Sequence, residues 1–99
     1  MFMKEEIVLK PDEALEYVKL NVKEEDVLEL SYNRVYAPGD VLSIQTEEEF
    51  GEENIIVSLH LNGELVSDVV RVNLNDIKDD LLEIGHITDE KETIIVIKD

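Results

Sequence analysis

The hydrophobic period of this chain changes once, near residue 26, and that change limits the fold more than any other feature. Before it, Ala14, Leu15 and Val18 recur at i, i+3 and i+4 spacing, one face of a helix. Pro11 suits a first helical turn, and Asp12 and Glu13 complement the positive end of the helix dipole. The pattern predicts about three helical turns from Pro11 to Leu20, preceded by a short strand over Glu5 to Leu9. After residue 26 the period is two. Leu28, Leu30 and Tyr32 alternate with Glu29 and Ser31, and Ile55, Val57, Leu59 and Leu61 alternate with Ile56, Ser58, His60 and Asn62.

Turn chemistry divides the β-rich part. Ala37-Pro38-Gly39-Asp40 reads as a turn, followed by a strand over Val41 to Thr46 with Leu42 and Ile44 on one face. Glu47 to Asn54 reads as a charged loop around Phe50-Gly51. Asn62-Gly63 is the favoured dipeptide of a two-residue type I′ hairpin, with a return strand from Glu64 to Leu74. That loop sets Leu59 opposite Val66 and Val57 opposite Asp68, so a bulge near Ser67-Asp68 is needed to turn the carboxylate outward. Asn75 is a candidate cap for a single helical turn, and Thr88 to Glu92 a turn. The apolar run Thr93 to Ile97 reads as an interior strand. The expected fold is one α+β domain over residues 1–99, predominantly antiparallel. It has about seven short strands in a sandwich-like or curled sheet and one short N-terminal helix. Consecutive strands are expected to pair, because no later connection has room for a helical crossover.

Charge is the one feature that points outward. The 99 residues hold 25 acidic and 9 basic side chains, a net charge of −16, and no lysine or arginine lies between Arg34 and Arg71. Such a surface repels duplex nucleic acid and anionic membranes. The chain has no cysteine, which rules out disulfides, thiolate zinc sites and cysteine nucleophiles and fits a reducing cytoplasm. Met1-Phe-Met-Lys-Glu-Glu is too short and too charged for a secretory signal. No apolar run approaches the roughly 20 residues that span a bilayer.

Chemical motifs are sparse. His60 sits near Ser58 on the polar face of its strand, but no nucleophile elbow or third partner accompanies them. It reads as a solvated strand histidine, and His86 as a partly exposed structural one. The acidic clusters Asp76, Asp79, Asp80, Glu83 and Glu47 to Glu53 lack the alternating ligands and central glycine of a calcium loop. The four glycines are too scattered for a phosphate loop. The expectation is therefore no enzyme, no cofactor and no metal.

Arg34-Val-Tyr-Ala-Pro-Gly-Asp-Val-Leu resembles the strand-turn-strand entry of immunoglobulin-like modules over about nine residues; no function follows from it. In size and acidity the chain resembles the small phage- or mobile-element-encoded antagonists that mimic nucleic acid. That resemblance implies an inhibitor that occludes a basic, nucleic-acid-binding surface of a partner. The carboxylates would gather on one side, where the candidate contact residues are Glu47, Glu48, Glu49, Glu52, Glu53, Glu64 and Asp68, with Phe50 as an apolar anchor. The rival expectation is a β-rich structural or assembly subunit, of a virion or a surface, that associates through a strand edge such as Thr93 to Ile97. A homo-oligomer is compatible with either.

Overall fold

The computed structural model describes residues 2–62 and 67–98. Seven strands form one sheet in the order β1-β7-β6-β2-β3-β4-β5. In chain order the elements are β1 (Met3–Leu9), α1 (Pro11–Asn21), β2 (Val27–Tyr32), β3 (Val35–Glu49), β4 (Glu52–Asn62), β5 (Ser67–Asn73), the single turn α2 (Leu74–Ile77) with a 3₁₀ turn over Lys78–Asp80, β6 (Leu81–Ile87) and β7 (Lys91–Ile97).

Helix α1 forms where its period placed it. The Lys10 amide donates to the Glu13 carboxylate at 2.9 Å, closing the first turn. Ala14, Leu15 and Val18 are buried against Leu28, Leu30, Ile84 and Ile95 of the sheet. Leu15 and Val18 each contribute about 1.5–3 kcal/mol on burial, and Ala14 less. Helix α2 adds Leu74 to the same cluster. The cap of α2 is Asn73, whose side chain accepts from the Asn75 amide at 2.9 Å. Asn75 instead reaches β4: its Oδ1 accepts from the Ile55 amide at 2.9 Å, and its Nδ2 donates to the Glu53 carbonyl at 3.0 Å.

Several expectations are corrected. The sheet is mixed, because β1 pairs parallel with β7, Met3 beside Lys91 through Leu9 beside Ile97. The partner strand of β1 lies 88 residues on, Met3 to Lys91, beyond the reach of any argument about neighbouring elements. β2 likewise pairs with β6 as well as with β3. The apolar face is covered by helices rather than by a second sheet.

Residues 37–40 are not a turn. They lie inside the 15-residue β3, and the chain reverses at Asn33, which carries φ 53°. The strand-turn-strand resemblance of residues 34–42 lapses with that turn. Gly39 serves close approach instead, since a Cβ there would stand 2.5 Å from the His60 carbonyl oxygen. Pro38 fits because the β3–β4 ladder begins only at Gly39–Leu61.

The β4–β5 register pairs Asn62 with Ser67 and Leu59 with Val70, which leaves residues 63–66 between the strands. The Asn62-Gly63 turn itself lies outside the described residues, but this register is four residues away from that of a two-residue loop. Asp68 therefore faces Leu61 rather than Val57, and the carboxylate is exposed without any bulge in that ladder. The bulges lie elsewhere: Leu42 in β3 and Leu82 in β6 are the extra residues, and both are exposed.

Candidate functional site

Glu47 to Asn54, expected as a loop, is the end of a β-hairpin. Glu47 pairs with Asn54, Glu48 with Glu53 and Glu49 with Glu52, and only Phe50 and Gly51 remain in the turn. Both take left-handed angles, φ 51° and 80°, the type I′ conformation that matches strand twist. Phe50 stands at the tip, 98% exposed. A non-glycine residue at positive φ costs of order 1 kcal/mol, and facing like charges add to it.

Alternation sorts the acids. Glu48 and Glu53 point to the helix side, where the Lys19 ammonium donates to Glu53 at 2.5 Å and is held more strongly protonated by that bond. Glu47, Glu49 and Glu52 point to the other side, where Arg71 donates to Glu47 at 2.8 Å. Both ion pairs are largely exposed, and solvent screening leaves such pairs only a small contribution. Glu48, Glu49 and Glu52 have no salt bridge to a described cation.

The expected contact set divides on the structure. Glu47, Glu48, Glu49, Phe50, Glu52 and Glu53 come together on the hairpin. Asp68 lies on β5 opposite Leu61, at the other end of β4 from Glu53, and so about 26 Å away at the rise of a strand. Glu64 lies outside the described residues. Carboxylates also cover α1 (Asp12, Glu13, Glu16), α2 (Asp76), the 3₁₀ turn (Asp79, Asp80) and β1. The acids are thus not gathered on a single side, and among the described residues the β3–β4 hairpin end brings five of them together.

A second feature had no signal in the sequence. His86 is buried, 5% exposed, on β6. Its Nε2 lies 2.8 Å from Asp26 Oδ2, and its Nδ1 lies 2.8 Å from the Tyr17 hydroxyl. The carboxylate accepts from Nε2–H, and in the neutral ring Nδ1 accepts from the phenol. The rings of Tyr17 and His86 meet edge to face at 5.7 Å. Asp26 Oδ2 also accepts from the Lys23 amide at 3.0 Å. The network ties α1, the 22–26 connection and β6 together. Its members are separated by 60 and 69 residues, so no local pattern announces it. Both ring nitrogens are engaged, and the network acts as a brace.

Beside it lies an open cleft of about 530 Å³, lined by Glu24, Glu25, Asp26, Asp89 and Glu90 with Val27, Ile87 and Thr88. Its carboxylates ring the mouth without converging; among the described residues no group of three or more acidic or histidine side chains is placed to hold a metal ion. His60 lies on the helix-free side of β4, opposite Asp40 and Val69, and Ser58 opposite Ser43 and Arg71. Among the described residues, no helix is long and apolar enough to cross a membrane.

The fold and its surface define a class: a small acidic α+β domain with one mixed sheet, helices on one face and a projecting carboxylate hairpin. The chain belongs to the DUF2097 family of uncharacterized proteins conserved in archaea, whose model matches residues 5–96. That membership lends no support to a phage origin. No curated protein and no solved structure matches the chain.

Proposed function

We propose that this protein is a small cytoplasmic binding module, not an enzyme, that occludes a basic, nucleic-acid-binding surface of a partner protein with its β3–β4 hairpin. The observation that carries the reading is the tip itself: an exposed Phe50 on a two-residue turn, flanked by the facing pairs Glu48–Glu53 and Glu49–Glu52. An aromatic anchor supplies contact energy, while surrounding charge supplies steering and orientation. The strained turn and the facing like charges weaken the free protein, and a cationic partner relieves the repulsion.

The test is capture from an archaeal lysate at about 50 and about 300 mM salt, a range over which exposed charges become screened. The immobilised protein is expected to retain basic nucleic-acid-binding proteins at low salt and to release them at high salt. Glu48→Lys/Glu49→Lys and Phe50→Ala are each expected to reduce capture at least about tenfold, and duplex DNA to compete. Capture that ignores both salt and these substitutions overturns the reading.

The second reading, assembly through a strand edge, changes its edge. β7 lies inside the sheet, between β1 and β6; the outer strands are β1 and β5. On β5 Val69 is 56% exposed. Light scattering that shows a growing particle mass with concentration supports this reading and disfavours a monomeric occluding module.

A further inference from the structure

The sheet has a second face that no described element covers. α1, α2 and the 3₁₀ turn all contribute to the one apolar cluster or pack beside it, on the side of Leu28, Leu30, Ile84 and Ile95. Alternation puts the odd-numbered residues of β2 on the opposite side. Two contacts confirm that side: a Cβ at Gly85 would meet the Glu29 carboxylate at 2.8 Å, and the Tyr36 hydroxyl donates to Glu29 at 2.6 Å.

An exposed face of an α+β sheet is ordinarily polar. This one carries Val8, Val96, Ile94, Ile87 and Val27 on four neighbouring strands, β1, β7, β6 and β2. Val8 is 57% exposed and the other four are half-buried with no described helix or strand above them, Val27 and Ile87 also lining the cleft of Glu24 to Asp26. Carboxylates border this apolar stripe. Glu6 is level with Ile94, Glu83 with Val96, and Asp40 with Val27, while Glu29 leans over Gly85. Lys4 on the β1 edge of this face is paired with Glu92 at 3.8 Å.

We infer that this face is the docking site for a basic amphipathic helix of a partner protein, which would complete a helix–sheet–helix sandwich. Apolar residues at i, i+3, i+4 and i+7 of such a helix cover the stripe, and flanking lysines and arginines meet the carboxylate border. The charge selects this occupant. A second copy would bring an identical acidic border against this one, between molecules that each carry −16. An anionic lipid surface is repelled for the same reason. The inference goes beyond the hairpin reading and does not rest on it: the stripe lies on β1, β7, β6 and β2, away from residues 47–53.

The test uses a designed helical peptide of about 18 residues with leucine at the helix-face positions and lysine elsewhere, together with a scrambled peptide of the same composition. Titration into the ¹⁵N-labelled full chain is expected to move the amide signals of β1, β7, β6 and β2, leaving α1 and residues 47–53 in place. The scrambled peptide should bind at least about tenfold more weakly, since it offers the same charge without the apolar face. Val8→Ser and, separately, Glu29→Gln/Glu83→Gln should each weaken binding at least about fivefold; the two act on different chemistry, so misfolding of one leaves the other informative. Glu48→Lys/Glu49→Lys should leave peptide affinity within about twofold, which separates this site from the hairpin. Equal binding of the scrambled peptide, shifts centred on α1 or the hairpin, or no binding at all overturns the inference. So does movement of the same amides on concentrating the protein alone, which would assign the face to a second copy.

Discussion

Single residues show how one amino-acid type answers different demands. Gly39 and Gly85 are both buried strand glycines, yet what a methyl group would meet differs. At Gly39 it is the His60 backbone carbonyl, at 2.5 Å, fixed by the β3–β4 ladder; at Gly85 it is the end of the Glu29 side chain, at 2.8 Å, which can swing aside. Gly39→Ala is therefore expected to destabilise by about 2 kcal/mol or more, and Gly85→Ala by less than about 1 kcal/mol. Urea unfolding of the two variants measures the difference, and equal costs would contradict the geometry. The pair also shows why Gly39 misleads in sequence. Pro-Gly marks a turn through φ freedom, but here the missing Cβ matters and the backbone is extended. His86 was illegible for another reason: its partners Asp26 and Tyr17 are brought to it only by the finished sheet.

Elements were legible to the degree that their signals are local. Helix α1 followed from Pro11, its acidic first turn and its apolar face, and β2 from strict alternation. The hairpin over residues 47–54 was hidden because five carboxylates and a Phe-Gly turn look like a solvated loop, whereas the strand pairing continues through them. Its turn is open to a direct test. Phe50 occupies the left-handed position for which asparagine is preferred. Phe50→Asn is expected to stabilise the protein by about 0.5–1 kcal/mol while abolishing capture of the basic partner. A gain in the urea midpoint with undiminished capture would remove Phe50 from the proposed contact.

At the scale of the whole molecule, charge dictates behaviour at high pH. The Tyr36 proton is held more tightly in the fold, first by its hydrogen bond to Glu29, then by burial and the charges of Glu29 and Glu83. Lys19 and Lys78 are also held protonated more strongly, chiefly by their hydrogen bonds to Glu53 and Asp12. All three folded values lie above the unfolded ones, 10.0 for tyrosine and 10.5 for lysine. Their stabilisation is complete below those values and is lost as pH rises through them. The urea midpoint is expected to be insensitive to these groups up to about pH 9 and to fall above about pH 10, less steeply in Tyr36→Phe. An identical alkaline decline in that variant would show that Tyr36 does not participate.

The parallel seam between the first and seventh strands also has a consequence for synthesis. Met3 through Leu9 find their strand partners in residues 91–97. In vectorial synthesis this strand emerges 88 residues ahead of its partner and cannot complete the seam until that partner is made. Closing so distant a contact is slow, so the β1–β7 seam is expected to be among the late contacts to form on refolding.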